Sequence, residues 1–387
     1  MSRRRLDEST ALDGASLGPV ILSSSNSLWN ITNFRAPVVQ RLVSEGWSLV
    51  VAAPATDEER EAFNLPAKVL SIVLDRSGLN PLRDLGLFLH YRRLLRSICP
   101  VAYLGWTIKP NIYGALAARM VGVPAILNVS GLGTAFLGSG LFARFVGLLY
   151  RVAFARAHVV FFQNADDRAL FVERGLLRAE QARLLPGSGI DLDHYRLTPL
   201  PQGPPVFLLI ARLLGDKGVR EFVAAATLLR DELPDVRFQL LGPIDRDNRS
   251  AVTQGEVDVW VADGMVEYLG TADDVRPAIA SASVVVLPSY REGLPRTLLE
   301  GAAMGRPLVA TDVPGCRDLV DDGVNGLLCA ARDARSLADA MRRMASFEGD
   351  KLGAMGRASR EKAQRGFDER LVTDAYVGAL RELAVTI

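Results

Sequence analysis

Short apolar, β-branched runs alternate along the chain with longer stretches of helical periodicity. In the first half the runs are Pro19-Val-Ile-Leu-Ser, Leu49-Val-Val-Ala-Ala, Val69-Leu-Ser-Ile-Val, Val101-Ala-Tyr-Leu-Gly, Ala125-Ile-Leu-Asn-Val and His158-Val-Val-Phe-Phe. Strands buried on both faces read as continuous apolar runs, so this rhythm predicts a parallel sheet covered by helices. After the proline-rich stretch 197–205 the rhythm restarts with Val206-Phe-Leu-Leu-Ile, Val236-Arg-Phe-Gln-Leu-Leu, Val266-Glu-Tyr-Leu, Val284-Val-Val-Leu and Pro307-Leu-Val-Ala, which predicts a second doubly wound domain. From about Ser336 the pattern is helical to the end. The expected organisation is a disordered leader over 1–17, a first Rossmann-like domain over 18–196, a linker over 197–205 and a second such domain over 206–367. A final helix over 368–387 crosses back to brace the first domain.

Composition sharpens this picture. A chain of 387 residues with 49% hydrophobic positions exceeds one typical core, in line with two domains. The formal net charge is only +1, yet Lys and Arg outnumber Asp and Glu before the proline-rich stretch and the reverse holds after it, so the halves face different partners. Cys99, Cys316 and Cys329 are widely separated and unpaired in spacing, which fits a reducing cytosol and excludes a disulfide framework. The basic start Met1 to Arg5 runs into Asp7, Glu8 and Asp13 rather than an apolar core, unlike a signal peptide, and no run is long enough to span a membrane.

Ligands of doubly wound sheets sit beyond the carboxyl ends of strands, so the turns after the apolar runs carry the candidate chemistry. The strand at Val206 enters Ala-Arg212-Leu-Leu-Gly215-Asp216-Lys217-Gly218 before a helical pattern begins. A helix amino end presents backbone donors and partial positive charge, and Arg212 and Lys217 add full charges at the same mouth, which suits a diphosphate. Taken alone, the turn is equally an ordinary βα connection with surface cations. The strand at Val284 ends in Pro288-Ser289-Tyr290-Arg291-Glu292-Gly293-Leu294-Pro295, with Glu300 on the helix that follows. Glu292 in the turn can accept hydroxyl hydrogen bonds, and Glu300, about two turns on, can accept from two vicinal ribose hydroxyls. Pro295 suits the first turn of that helix. Either glutamate alone also reads as a solvated helix-start acid.

Taken together, Arg212 with Lys217, the run Glu292-Gly-Leu-Pro-Arg-Thr-Leu-Leu-Glu300, and the segments Gly301-Ala-Ala-Met-Gly-Arg-Pro, Thr311-Asp-Val-Pro-Gly-Cys and Asp322-Gly-Val-Asn-Gly-Leu-Leu resemble the nucleotide-sugar domain of family 4 glycosyltransferases. The resemblance implies an α/β fold of the GT-B type, two doubly wound Rossmann-like domains facing across a cleft. It also implies metal-independent, retaining sugar transfer with no cofactor. Arg212 and Lys217 then hold the donor diphosphate, Glu300 the ribose and Glu292 the transferred sugar, while Gly293 and Leu294 offer backbone groups. Glu292, Arg212 and Lys217 are the catalytic candidates, because cations at a helix amino end stabilise the leaving diphosphate electrostatically. The family is described as attacking from the front face, the departing phosphate assisting deprotonation of the acceptor, so Glu292 reads as a sugar ligand rather than a glycosidase-like nucleophile. Asp191-Leu-Asp193 and Asp245-Arg-Asp247 mimic a metal-binding acidic pair but read as loop acids, and no metal site is expected.

The first half resembles bacterial transferases that add N-acetylhexosamine to an undecaprenyl-diphosphate-linked sugar. The resemblance lies in Asn33-Phe-Arg35-Ala-Pro, Arg76-Ser-Gly-Leu-Asn80-Pro81, Thr107-Ile-Lys109-Pro-Asn111-Ile-Tyr-Gly114 and Ser130-Gly131-Leu132-Gly133. It implies a UDP-N-acetylhexosamine donor, N-acetylgalactosamine foremost, and a lipid-diphosphate-linked sugar acceptor held by Arg35, Lys109 and Asn111, with the cations available for the acceptor diphosphate. The same cations could instead cap helices or face water. Ile108 and Lys109 stand where many relatives carry a histidine, and His90, His158 and His194 read as structural. Phe136 replaces the third glycine of a dinucleotide fingerprint, which argues against an NAD site.

The apolar and cationic segment 141–156, with Arg144 and Arg151 on one face, can lie in an anionic membrane surface or pack as an ordinary crossover helix. The expected location is cytoplasmic, peripheral on the inner face of the membrane, with no nucleic-acid partner. A GT-B sugar-nucleotide epimerase and a catalytically silent nucleotide-sugar-binding scaffold are the alternative readings.

Overall fold

The computed structural model describes residues 18–75, 80–132, 141–245, 248 and 250–386, without the side chains of 141–143 and 384–386. The leader 1–17, residues 76–79 of the Arg76 motif, Gly133 and Asp247 lie outside the described residues. The chain divides into two compact units, Met1–Ser188 with Val372–Ile387, and Gly189–Leu371.

The first unit is built on the strands β1 (Val20–Ser24), β2 (Ser48–Ala53), β3 (Lys68–Ser71), β4 (Ala102–Gly105), β5 (Ala125–Val129), β6 (Val159–Phe162) and β7 (Ala182–Leu184). Among the described residues these form one parallel sheet in the order β3-β2-β1-β4-β5-β6-β7. Neighbouring residues of a strand serve opposite layers: Leu22 joins Val50 and Tyr103 on one face, whereas Ile21 joins Val51 and Leu104 on the other. Residues of the last helix, Glu369–Thr386, complete the second layer, with the Tyr376 ring 4.8 Å from that of Trp106 and 4.9 Å from that of Phe161. Asn128 donates its amide to the Tyr376 hydroxyl at 3.0 Å, so the polar atom on that ring is satisfied within the layer.

The second unit repeats the plan with β8 (Val206–Ile210), β9 (Arg237–Leu241), β10 (Glu267–Tyr268), β11 (Val284–Leu287), β12 (Leu308–Thr311) and β13 (Gly326–Cys329), all parallel, in the order β10-β9-β8-β11-β12-β13. Phe207 and Leu209 face one layer, and Leu208 and Ile210 the other. Both sheets therefore match the parallel, helix-covered α/β expectation. Two strands go beyond it: β7 lies in a stretch with no apolar run, and β13 follows directly on the Asp322-Gly-Val-Asn-Gly turn. Both are edge strands, where short length suffices.

In each sheet the winding direction reverses once, between β1 and β4 and between β8 and β11. The carboxyl ends at such reversals diverge and leave a crevice outside the sheet, which is where ligand-binding loops are found.

Candidate active site

At the reversal in the second unit, the loops after β8 and β11 run side by side and are fastened by their backbones. The Tyr290 amide and the Ser289 hydroxyl both donate to the Asp216 carbonyl, at 2.9 and 3.1 Å. Gly218 has φ +72°, and a Cβ there would lie 2.1 Å from the Pro288 carbonyl oxygen, so glycine is required both for the turn and for the close approach. A third loop, after β12, joins them: Thr311 donates its hydroxyl to the Ser289 carbonyl, and the Glu292 amide donates to Pro314 at 3.2 Å. A Cβ on Gly315 would meet the Glu292 and Gly293 carbonyls at 2.7 and 2.5 Å. This clamp fixes the backbone that bears the candidate side chains.

On it, Lys217 and Glu292 form a short, largely shielded ion pair between the two loops. Lys217 closes a single 3₁₀ turn, Gly215–Lys217, and Gly218 caps the Val219–Leu229 helix behind it. Arg212 is exposed and donates to Asp245 at 2.8 Å. Both expected diphosphate cations are thus present at the mouth of the sheet, each held by a carboxylate. Asp245 is a partner of Arg212, and Asp191 accepts from the amides of Asp193 and His194 at 2.9 Å, a loop-capping role. Among the described residues no group of three or more His, Cys, Asp or Glu side chains is placed to hold a metal ion.

Glu300 lies on the Arg296–Ala303 helix, 6% exposed. One of its oxygens accepts from the Tyr195 hydroxyl and from Arg296 Nε, both at 2.9 Å. Burial pushes the Glu300 carboxyl above its ordinary range, an effect that Arg296 and Tyr195 only partly offset. Tyr195 and Arg296 were not singled out in the sequence: Tyr195 lies 105 positions from its partner, and Arg296 is one of many arginines. The i, i+4 spacing of Arg296 and Glu300 was the one available signal. Pro295 stands one position earlier than expected, as the amino cap of the helix, with Gly293 and Leu294 immediately before it. Tyr290 is a further addition: its hydroxyl donates to Glu221 at 2.5 Å, and burial with that neighbour pushes the phenol up to about 12.

The first unit treats its three candidates differently. Arg35, expected as an acceptor ligand, is 2% exposed, wedged between the Leu28–Phe34 and Ala36–Ser44 helices with its guanidinium 4.7 Å over the Trp106 ring, where it props the end of β4. Asn111 is likewise 2% exposed and donates to the Asn128 carbonyl at 2.8 Å, fastening the loop after β4 to β5. Lys109 is the least buried of the three, though still largely shielded: it pairs with Asp84 at 2.6 Å, and Tyr113 donates to the other oxygen of Asp84 at 2.9 Å. The segment between Lys109 and the Ala115–Val121 helix is a single π-turn, Pro110–Gly114. A Cβ on Gly114 would collide with the Tyr103 hydroxyl at 1.8 Å, so this turn is pressed directly onto the sheet. His90 lies in the Pro81–Ile98 helix, His158 is 3.3 Å from Glu382, and His194 is 3.4 Å from Arg276, all away from the Lys217 loop in sequence.

Comparison with known proteins agrees with this architecture. Residues 204–346 match the family model "Glycosyl transferases group 1", and residues 33–187 match "Glycosyl transferase 4-like domain". The chain is 26% identical over 90% of its length to the N,N'-diacetylbacillosaminyl-diphospho-undecaprenol α-1,3-N-acetylgalactosaminyltransferase of Campylobacter jejuni, covering 94% of that protein. It is 25% identical over 67% of its length to the UDP-Gal:α-D-GlcNAc-diphosphoundecaprenol α-1,3-galactosyltransferase of Escherichia coli, covering 70% of it. The fold superposes on the sucrose-phosphate synthase of Thermosynechococcus elongatus with a TM-score of 0.79 at 19% identity, over 95% of this chain and 100% of the other. One family model falls on each unit and together they span more than half of the sequence: the chain belongs to the glycosyltransferases built from a 4-like domain followed by a group 1 domain, and is a GT-B enzyme.

Proposed function

We propose that this glycosyltransferase moves a hexose or N-acetylhexosamine from a UDP-sugar to a sugar carried on a lipid diphosphate, with retention of anomeric configuration, in bacterial glycan assembly. The observation that carries the reading is the Lys217–Glu292 pair, clamped at the sheet reversal with Arg212 at the same mouth and the buried Glu300 on the adjoining helix. A diphosphate arriving there meets a shielded Lys217 and an exposed Arg212, each already held in place by a carboxylate, so little reorganisation is needed when the bond to the sugar breaks. The bond from the anomeric carbon to the departing phosphate oxygen breaks, and the bond to the acceptor oxygen forms on the same face. The acceptor's proton passes to the departing phosphate. Arg212 and Lys217 neutralise the charge that develops on the diphosphate. Glu292, released from Lys217 as the phosphate takes its place, accepts from a hydroxyl or amide of the transferred sugar. Glu300 accepts from the ribose, while Gly293 and Leu294 offer backbone groups to the phosphate or sugar.

Relatives named for α-1,3 transfer onto diphosphoundecaprenol sugars support both the retention and the acceptor class. On the acceptor side Lys109 is the candidate ligand for the lipid diphosphate; Arg35 and Asn111 act by holding the loops around it. Among the described residues no helix is long and apolar enough to cross a membrane. The Leu141–Phe154 helix, with Arg144, Phe145, Leu148 and Arg151 exposed, supports peripheral association with the inner face of the cytoplasmic membrane. The test is to incubate the protein with UDP-, GDP- and TDP-sugars and synthetic lipid-diphosphate sugars and to follow the product by NMR. An α-linked disaccharide that forms only with acceptor present is the expected result. A sugar nucleotide isomerised without acceptor would make the enzyme an epimerase, and donor-induced thermal stabilisation without turnover would make it a silent binding subunit.

A further inference from the structure

The first unit contains a groove of about 620 Å³ whose apolar lining none of the chemistry above uses, Lys109 apart. Its floor is the π-turn and helix over 110–121, and its walls are the Pro81–Ile98 and Leu141–Phe154 helices, which both pack against that floor. Arg119 ties floor to wall by donating to the Val152 carbonyl at 2.8 Å. The lining is apolar to an extent unusual for a surface that water reaches. Leu85 is 53% exposed, Met120 59%, Phe145 56% and Val152 41%, with Phe88 and Ile112 beneath them. Large exposed apolar side chains gathered in one concave place mark a binding surface rather than random surface composition.

Charge is confined to a few positions. Asp84, Lys109 and Arg119 are the charged residues that line the groove, two cations against one acid. Lys109 belongs to the loop after β4, at the carboxyl-end reversal of the sheet, where the acceptor diphosphate is placed above. The groove thus starts beside the proposed diphosphate ligand and continues as hydrocarbon surface. That polarity, a lysine held by one acid at the loop after β4 and an apolar lining beyond it with Arg119 engaged on the Val152 carbonyl, is complementary to an amphiphile with one anionic head and a single apolar chain. It is less suited to a peptide, which would carry polar backbone or charged flanks along its length.

Resting on the acceptor class proposed above, we propose that this groove seats the first isoprene units of the polyisoprenyl chain attached to the acceptor's diphosphate. The enzyme then recognises the lipid as well as the sugar, and the Lys109–Asp84–Tyr113 cluster sets the point at which head meets chain. The partly shielded Asp84 keeps Lys109 in place before the diphosphate arrives and remains within reach of Tyr113 when Lys109 turns to it.

The test uses soluble probes below their micellar concentrations: inorganic diphosphate and geranyl, farnesyl and geranylgeranyl diphosphates, titrated calorimetrically into the full chain. Affinity should rise by at least about tenfold from inorganic diphosphate to the four-isoprene probe, since each added methylene buried contributes to transfer from water. Leu85→Asn and Met120→Asn, on opposite sides of the groove and exposed enough to leave folding intact, should each flatten that rise while the affinity for inorganic diphosphate stays the same. Equal affinity for all four probes would overturn the proposal, as would a chain-length rise that both variants preserve. Loss of sedimentation with anionic vesicles free of prenyl lipid, in variants whose chain-length rise is intact, would reassign the surface to general membrane contact. A shift from dimer to monomer in light scattering with the rise intact would reassign it to a second copy of the chain. If chain-length-dependent binding is found but no lipid-diphosphate sugar is ever glycosylated, the groove stands and the acceptor reading falls; transfer without chain-length dependence gives the reverse.

Discussion

The two units share one architecture and use its reversal point differently. In the second unit, three loops clamp a backbone scaffold from which Lys217, Glu292 and Arg212 project to the mouth, their charges mutually held. In the first unit the three expected ligands are all engaged within the unit: Arg35 lies against Trp106, Asn111 on the Asn128 carbonyl, and Lys109, the least buried residue of the three, pairs with Asp84. The lesson is that a motif at the carboxyl end of a strand marks a place where a loop must be held rigid, and its residues divide between those that hold the loop and those that meet the ligand. The partners each side chain finds in the fold bear on that division, and sequence alone does not supply them.

The comparison breaks most visibly at Lys217. Lys217→Ala removes a cation that meets the developing negative charge and leaves Glu292 without it, so turnover should fall by about 10²–10³-fold, in the range seen when one preorganised donor is deleted. Circular dichroism should show an unchanged fold, because the clamp of Gly218, Pro288 and Ser289 does not depend on the lysine side chain. Near-normal turnover in a folded variant would remove Lys217 and the second-unit mouth from the chemistry.

Glu300→Gln comes next. It keeps an oxygen for Tyr195 and Arg296 but withdraws the charge that would bind the ribose, and a lost charged hydrogen bond corresponds to a rise in donor KM of roughly 10–100-fold. The stability effect has the opposite sign. Burial holds the Glu300 carboxyl above the unfolded-state value, so its contribution is fully present below that value and is lost as pH rises through the higher folded value. The glutamine variant escapes that loss, and its melting temperature relative to wild type should climb between pH 4 and pH 7. A relative melting temperature that is flat or falls over that interval would show that the carboxylate is not held under strain.

The first unit is probed by Lys109→Ala, for which acceptor KM should rise about tenfold while donor KM is unchanged, one charge-assisted contact being removed from one substrate only. Equal effects on both substrates would mean that Lys109, like Arg35, serves the framework.

Much of this was legible in the sequence. The parallel strands, apart from two, followed from apolar runs, because a strand buried on both faces must be apolar throughout, as in Val284–Leu287. The exceptions were edge strands: β7 has three residues with Leu184 46% exposed, and β13 begins at a glycine that reads as part of a turn. The side chains of the second-unit mouth were named through the family resemblance of the whole segment around them, since Glu292 and Glu300 alone read equally as ordinary helix acids. Tyr195 was not, since only the folded chain brings it to Glu300. The fates of Arg35 and Asn111 were not legible either, because an arginine beside an indole and an asparagine beside a strand carbonyl have no local signature.

The smallest expected effect is also the most discriminating between holding a loop and meeting a ligand. Asn111→Ala deletes the hydrogen bond to the Asn128 carbonyl, which should cost about 0.5–1.5 kcal/mol of stability. The variant is otherwise compatible with the π-turn, since alanine carries no polar group needing a partner there. Its melting temperature should therefore drop by several degrees, while acceptor and donor KM at a temperature well below the transition move by less than about twofold, a change too small for the loss of a charge-assisted ligand contact. Lys109→Ala should differ in the KM readout: acceptor KM rises, whatever stability is also lost when the shielded Asp84 gives up its cation and keeps only Tyr113. If Asn111→Ala instead raises acceptor KM tenfold at unchanged melting temperature, the amide reaches the substrate, and the first unit would present its ligands as the second does.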